Sequence, residues 1–150
     1  MNIQIISVGK LSEEMNLIAA KFYKMITAWS VNFHEVPHSK KTNIPEIRQD
    51  EGKVIKAKIK ANSYLIVLDL LGIQMISEDF SNIFTKRMMD GMNIDFVIGG
   101  AFGLDESIIK QAHLRLCLSK MTFPHQFAKI LLLEQIYRAQ TIIQNHPYHK

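Results

Sequence analysis

Two kinds of hydrophobic pattern alternate along the chain: short apolar runs, and longer segments in which apolar residues recur at helical spacing. Short β-branched or continuously apolar runs predict strands at Asn2 to Val8, Val31 to Val36, Tyr64 to Leu70, Ile94 to Ile98 and Leu114 to Leu118. Between these runs, apolar residues recur every three or four positions, which is the period of a helix that packs by one face. Strands alternating with helices predict an α/β fold, a mainly parallel sheet flanked by helices, in one domain over residues 1–150.

Polar residues at the starts of the predicted helices can supply their N-caps. Ser12 precedes a helix with the apolar positions Met15, Ile18, Ala19, Phe22, Tyr23 and Ile26. Asn43 precedes a run rich in Lys and Glu that we expect to stay helical to Ala61. Ser77 and Asp105 are expected to cap the helices after the third and fourth strands.

The last quarter of the chain, Leu118 to Lys150, joins four different segments without a linker. The end of a strand is followed by a polar turn closed by Pro124, then by one long helix and a tail of His, Tyr and Lys. Apolar residues cover more than half of the circumference of the helix from His125 to Gln144, which predicts that it is largely buried. Glu134 and Arg138 are spaced to form an ion pair on this helix.

Two polar features lie at the carboxyl ends of predicted strands, where ligands of open α/β sheets bind. Asp69 lies at the end of the third predicted strand. It could cap a turn or bind a ligand, and the sequence favours the two interpretations about equally. Gly99 to Gly103 follow the fourth strand at once. Their spacing fits neither the dinucleotide fingerprint nor a Walker A loop, so on its own this segment is best interpreted as a tight turn.

Composition excludes several classes of protein. With 47% hydrophobic and 21% charged residues, the chain has the composition of a globular domain rather than a disordered one. No apolar run approaches the roughly 18 residues that a membrane span needs, and residues 1–10 lack the cationic start of a signal peptide. The single cysteine, Cys117, excludes an internal disulfide. We therefore expect a soluble protein in the reducing cytoplasm.

A net charge of +4 favours anionic partners weakly and permits nucleic acid. The loop from His38 to Asn43 carries two lysines and is basic enough to contact RNA. Lys53, Lys56 and Lys60 share one side of the helix predicted there. We interpret that side as a solvated helix face in preference to a dedicated RNA patch.

Standard catalytic and metal motifs are absent from the sequence. There is no Gly-x-Ser-x-Gly elbow for a serine hydrolase. His125, His146 and His149 lack the Cys or carboxylate spacing of a zinc site, so we expect no metal. A site lined by the backbone of glycine and polar loops remains, and such a site suits an adenosine-containing ligand.

Several short motifs occur in order along the chain, and together they resemble the RlmH family. They are Val8-Gly9, Leu68-Asp69 with Gly72, Ile98-Gly99-Gly100 with Gly103-Leu104, Leu118-Ser119 through Thr122-Phe123-Pro124-His125, Glu134-Gln135-Ile136-Tyr137-Arg138-Ala139, and Asn145-His146-Pro147-Tyr148-His149-Lys150. The RlmH family comprises bacterial SPOUT methyltransferases that methylate N3 of a pseudouridine in 23S ribosomal RNA. The resemblance spans the whole chain and is most specific in the last 35 or so residues.

The resemblance implies a deep trefoil knot at the carboxyl end and a homodimer with its sites at the subunit interface. It implies that S-adenosylmethionine is held by Leu68, Gly100, Ser119, Lys120, Met121, Thr122, Phe123 and Pro124. By the same resemblance, the catalytic residues are Arg138, Tyr148 and His149. The chain departs from many relatives at Ala101-Phe102 and at Lys129, which puts individual contacts there in question.

Two other functions remain alternatives to the methyltransferase. The first is a non-catalytic RNA-binding or ribosome-associated module with the same fold, which the modest positive charge favours. The second is a small-molecule α/β enzyme that uses its glycine loop for another nucleotide. An unchanged nucleoside mass spectrum of ribosomal RNA from a deletion strain would indicate the first, and a different co-purified ligand would indicate the second.

Overall fold

The computed structural model describes the backbone of residues 1–149 and the side chains of residues 1–148. The strands are β1 (Asn2–Val8), β2 (Ser30–Val36), β3 (Ser63–Ile73), β4 (Asn93–Ile98) and β5 (Leu114–Leu116). The helices are α1 (Glu13–Met25), α2 (Ile44–Lys56), α3 (Ser77–Met89), α4 (Glu106–Gln111) and α5 (His125–Ile143), followed by a 3₁₀ helix at Pro147–His149. The predicted alternation of strands and helices is confirmed.

The strands form one sheet in the order β2-β1-β4-β3-β5, and every neighbouring pair is parallel. The predicted α/β fold with a mainly parallel sheet is therefore confirmed. Strand β1 lies between β2 and β4 and is buried from Ile3 to Val8, as expected for a parallel strand covered on both faces.

Successive residues of the strands point to opposite faces of the sheet and form two cores. Ile5 and Phe96 contribute to the core beneath α1, α3 and α5, which also supply Ala19, Phe80, Phe84, Leu132, Leu133 and Ile136. Ile6 and Val97 contribute to the core beneath α2 and α4. The fold thus has three layers, with helices on both faces of the sheet.

Three of the four predicted helix caps are confirmed. The side chains of Ser12, Asn43 and Asp105 accept hydrogen bonds from backbone N–H groups in the first turns of α1, α2 and α4. The prediction for Ser77 was wrong, because this residue is the first of α3 and the N-cap position is occupied by Ile76. The Ser77 hydroxyl instead donates a hydrogen bond of 2.9 Å to Gln135 Oε1 on α5.

Helix α2 is shorter than predicted. It ends at Lys56 rather than at Ala61, because the Lys60 amide donates to Asp95 Oδ2 at 2.8 Å and so turns the chain towards β3. Lys60 therefore does not continue the helical face of Lys53 and Lys56.

Strand β5 is also shorter than predicted and ends at Leu116. The alternation of polar and apolar residues up to Leu118 continues beyond the strand, but the regular pairing does not. Strand β3 has an irregularity between Leu68 and Ile73, after which the Cys117 amide donates to the Ile73 carbonyl at 2.8 Å. The segment after Cys117 is thereby directed away from the sheet and towards α5.

Candidate active site

The carboxyl ends of three adjacent strands meet at one edge of the sheet. Leu68 on β3 is in register with Ile98 at the end of β4 and with Leu116 at the end of β5. Because all three strands run in the same direction, the loops that leave them are brought together there. The two segments singled out in the sequence, after β4 and after β5, are therefore neighbours in space.

A cavity of about 400 Å³ lies at this edge. Its size is within the range of pockets that bind small ligands, roughly 300–1,000 Å³. The lining is mainly apolar side chains and glycine backbone from β3, the loop after β4, the loop after β5 and the start of α5. Six of the eight residues expected at the cofactor line it: Leu68, Gly100, Ser119, Met121, Thr122 and Phe123.

The glycine segment forms the tight turn that the sequence predicts, and it also lines the cavity. The Gly103 amide donates to the Gly100 carbonyl at 3.0 Å, and Gly103 has a φ of +83°, which favours glycine. A Cβ at Gly100 would lie 2.8 Å from Glu51 Oε2 and 3.2 Å from Val8 Cγ1. This position thus has no room for a side chain unless a neighbour moves.

The turn from Ser119 to Pro124 is held by its own polar groups. The Ser119 hydroxyl oxygen accepts from the Met121 amide at 3.0 Å, and the buried Cys117 thiol donates to the Ser119 carbonyl at 3.1 Å. Lys120 is exposed and Pro124 is the N-cap residue of α5, and neither is among the residues that line the cavity. Their predicted contacts with the cofactor stay a prediction.

Two arginines that line the cavity, Arg115 and Arg48, belong to no recognisable sequence motif. Arg115 Nε and Nη2 both donate to Asp69 Oδ2, at 3.0 and 2.6 Å, and Asp69 also accepts from the Leu71 amide at 3.0 Å. Asp69 is thus a turn cap and one half of an ion pair. Arg48 enters from α2, where its Nε donates to the Phe102 carbonyl at 2.6 Å. Only the folded chain brings these arginines to the cavity.

The first turns of α5 carry two groups that burial keeps closer to neutral. His125 lines the cavity, and burial lowers its pKa, with the positive charge of Lys129 acting in the same direction. Lys129 is only 1% exposed, and its Nζ donates to the Gly9 carbonyl at 2.6 Å. Burial lowers the pKa of Lys129, while the nearby Glu35 carboxylate opposes that shift.

Arg138 and Tyr148 belong to a second group of side chains, which we call the tail cluster: Glu134, Tyr137, Arg138 and Tyr148. The predicted ion pair is confirmed, since Arg138 Nε and Nη2 donate to Glu134 Oε1 at 3.1 and 2.9 Å. The Tyr148 hydroxyl donates to the same oxygen at 3.2 Å. The Arg138 guanidinium lies 5.1 Å from the Tyr148 ring centre, and the Tyr148 and Tyr137 rings meet edge to face at 4.8 Å.

The tail is therefore packed against α5 up to Tyr148. Burial and the Glu134 carboxylate raise the pKa of the Tyr148 hydroxyl, so it stays protonated at neutral pH. The side chain of His149, the third expected catalytic residue, lies outside the described residues.

The cavity and the tail cluster do not meet within one chain. Ala128 is the last residue of α5 that lines the cavity, and Arg138 follows ten residues later. Ten helical residues span about 15 Å. Among the described residues, the lining of the cavity and the tail cluster therefore share no side chain and lie at different heights along α5.

The profile of the family described as "Predicted SPOUT methyltransferase" matches residues 1–149. The chain belongs to the SPOUT methyltransferase family. The resemblance of its motifs to RlmH is confirmed by curated relatives that align with it over their full length. "Ribosomal RNA large subunit methyltransferase H 1" of Clostridium perfringens is 42% identical, with both chains covered completely. The proteins of Clostridium tetani and Alkaliphilus oremlandii named "Ribosomal RNA large subunit methyltransferase H" are 41% and 42% identical, again over all of each chain.

Two further observations bear on this SPOUT protein. Among the described residues, no group of three or more His, Cys, Asp or Glu side chains is arranged to hold a metal ion. None of the helices in the described part of the chain is long and apolar enough to cross a membrane.

Proposed function

We propose that this protein transfers a methyl group from S-adenosylmethionine to N3 of a pseudouridine in 23S ribosomal RNA, acting on ribosomes in the cytoplasm. The observation that carries the proposal is the family match over residues 1–149, joined to relatives named as ribosomal RNA large subunit methyltransferases. A non-catalytic ribosome-associated module with the same fold is the alternative that the experiment below separates.

The donor cavity, as we call the space at the ends of β3, β4 and β5, fits an adenosine-containing ligand. Leu68, Ile98, Leu118 and Phe123 provide apolar surfaces for the faces of a purine ring. The backbone of Gly99 to Gly103 and of the turn after β5 offers hydrogen-bonding groups for its edge. When bound, S-adenosylmethionine supplies a methyl group on a sulfonium cation.

The protein must align the target base with the donor and stabilise the anion that forms when N3 loses its proton. Arg138 suits this role because a guanidinium has five donors in a fixed plane, and only some of them are used by Glu134. We propose that Arg138 holds the uracil oxygens or an adjacent phosphate. Tyr148, protonated at neutral pH and donating that proton to Glu134, would orient the base by accepting a hydrogen bond from it rather than remove its proton. We propose His149 as the group that removes the proton, because an imidazole is suited to proton transfer near neutral pH.

We propose a homodimer in which the donor cavity of one chain faces the tail cluster of its partner. The separation along α5 supports this arrangement, because about 15 Å of helix lies between the last cavity residue, Ala128, and Arg138. Exposed apolar residues near both groups also support it. Leu71 and Ile73, at the end of β3, are 83% and 57% exposed, and Phe127 on α5 is 50% exposed. Phe127 lies on the same helical face as Arg138, since a spacing of 11 residues is close to three turns.

The carboxyl-terminal trefoil knot belongs to the same proposal. The family match over residues 1–149 supports it. The segment that would be threaded starts in backbone contact with the end of β3, since a Cβ at Gly72 would lie 2.6 Å from the carbonyl carbon and oxygen of Arg115 in the paired strand β5.

The decisive experiment is a map of the modified nucleosides in 23S ribosomal RNA. Ribosomes from a strain lacking this protein are incubated with the purified chain and S-adenosylmethionine, and the RNA is digested and analysed by mass spectrometry. We expect one 3-methylpseudouridine to appear with the protein and to be absent without it. An unchanged nucleoside spectrum, together with binding of the chain to ribosomes, would establish the non-catalytic alternative instead.

A further inference from the structure

Arg48 is placed at the mouth of the donor cavity by two contacts. It lies on the exposed side of α2, and its Nε donates to the Phe102 carbonyl at 2.6 Å. Its Nη2 is the atom nearest to the open side of Gly103, at 3.8 Å from where a Cβ would be. The guanidinium is thus held over the glycine turn, where it lines the cavity.

The two arginines of the cavity differ in their charge compensation. Arg115 gives two hydrogen bonds to the Asp69 carboxylate, so its charge is neutralised. Among residues 1–148, Arg48 forms no ion pair, and a backbone carbonyl is the acceptor it uses. Four of its five N–H donors remain available. A fixed guanidinium without a carboxylate partner is suited to an anionic ligand.

The surroundings of Arg48 favour a polyanion over a single carboxylate. The loop from His38 to Asn43, which we call the basic loop, carries the exposed Lys40 and Lys41. It is hydrogen-bonded to α2, the helix that carries Arg48. The Ser39 hydroxyl donates to Asp50 Oδ2 at 2.6 Å, and the Ser39 amide donates to Glu51 Oε1 at 3.2 Å. These anchors lie two and three residues after Arg48, so the lysines and the guanidinium are presented by one rigid element.

We propose that Arg48 binds a backbone phosphate of the RNA substrate at the mouth of the donor cavity. This inference rests on the proposed function, which makes RNA the substrate. Arg48 then acts as a positioning residue: by gripping the strand beside the glycine turn, it sets where the target base enters. The contact is electrostatic and independent of the base, so it contributes to affinity rather than to the methyl transfer itself.

The test is the salt dependence of ribosome binding by Arg48→Gln, measured at saturating donor over a series of KCl concentrations. Loss of one phosphate contact should make the slope of log affinity against log salt shallower by about 0.7. The KM for unmethylated ribosomes should rise several-fold, with kcat unchanged. Arg48→Lys keeps the charge and should keep the slope. Lys53→Gln, on the same helix but outside the cavity, should match the parent chain.

The carboxylate of the donor is the other anion that Arg48 could bind. Calorimetry with S-adenosylmethionine tests for that contact. An unchanged slope for Arg48→Gln overturns the proposal, and weakened donor binding in that case assigns Arg48 to the donor. If the parent chain binds ribosomes but does not methylate them, the proposed function fails while the slope still decides the role of Arg48.

Discussion

The donor cavity and the tail cluster are built on opposite principles. The cavity is mostly backbone and apolar surface, and it exists because parallel strands end together at Leu68, Ile98 and Leu116. The tail cluster consists of the Glu134 carboxylate and three further side chains: Arg138 and Tyr148 bond the carboxylate, and Tyr137 contacts the Tyr148 ring. The comparison teaches that topology suffices to create a binding space, whereas the reactive groups depend on individual side chains. Substitutions should therefore separate donor binding from turnover.

The largest effect is expected from removing the tail. A chain ending at Asn145 lacks Tyr148 and with it the contacts to Glu134 and Tyr137. Because positioned groups of this kind contribute roughly 10²–10⁴-fold, methylation should fall below detection. Donor affinity by calorimetry and dimer mass by light scattering should stay unchanged. If the shortened chain fails to dimerise, the tail is structural instead.

Arg138→Ala should lower turnover by about 10²–10³-fold, the usual cost of losing a charged group that stabilises a developing anion. Donor affinity should change less than two-fold, because the proposed partner of Arg138 is the RNA and not the donor. The two quantities are measured by single-turnover methylation and by calorimetry. Lys110→Ala is the matched control, since it also removes an i,i+4 ion pair, the 2.9 Å contact with Glu106. Equal losses of turnover and donor affinity in Arg138→Ala would contradict its assignment to the RNA.

Gly100→Val should weaken donor binding several-fold, because the added side chain meets Glu51 Oε2 and Val8 and must shift the glycine turn that lines the cavity. Calorimetry measures the loss directly. Normal donor affinity in a folded Gly100→Val chain would show that the position of this turn does not determine donor binding.

Combining the last two changes tests whether the site is shared between subunits. Co-expressed Arg138→Ala and Gly100→Val chains form mixed dimers, and a shared site leaves one of the two sites intact in each. Random pairing should then restore about a quarter of the parent activity. If each chain completed its own site, the mixture would be no more active than the separate variants.

Lys129→Met should destabilise the fold by about 1–3 kcal/mol, because the Gly9 carbonyl loses its buried partner while the volume is nearly kept. Denaturant unfolding monitored by circular dichroism measures the change. Lys53→Met, at an exposed position, should stay within about 0.5 kcal/mol of the parent. Equal stability of the two variants would show that the Lys129 contact is dispensable.

The smallest effect concerns pH. The pKa of His125 is lower in the folded chain than its ordinary value of 6.5. As the pH falls below 6.5, the unfolded chain therefore takes up the proton before the folded chain does. The contribution of His125 to stability is thus present above that value and is lost as pH falls through the folded pKa. His125→Asn should flatten the decline in unfolding free energy on the acid side. An identical pH profile for the two chains would contradict the shift.

The elements were predictable where local chemistry decides them. Ser12, Asn43 and Asp105 cap helices because short polar side chains satisfy the first free N–H groups. Ser77 has the same chemistry, but Gln135, 58 residues away, engages its hydroxyl. The end of α2 was missed for the same reason, since Asp95 on β4 captures the Lys60 amide. A contact made by tertiary packing overrides a local preference, and no local pattern records it.

The residues of the candidate site also fall into two groups: those that a local motif identifies, and those that only tertiary packing brings to the cavity. Gly100 and the turn after β5 were recognisable because their motifs are short and contiguous. Arg48 and Arg115 were not, because they reach the cavity from different elements, and a lone arginine on a helix or strand has no distinctive neighbours in sequence. Lys129 was noticed as a departure from relatives, but its burial against the Gly9 carbonyl follows only from the packing of α5 on β1.

The uninterrupted helix α5 sets the distance and the rotational relation between the two halves of the proposed site. One inserted residue would turn everything after it by about 100° and advance it by about 1.5 Å. With the insertion between Phe127 and Arg138, Arg138 would leave the face that carries Phe127, and Gln140 would leave the position from which it accepts hydrogen bonds from the Thr27 and Ala28 amides. Length changes in this helix should therefore be far less tolerated than substitutions on its exposed face, so that natural insertions and deletions are expected in the loops, such as the basic loop before α2.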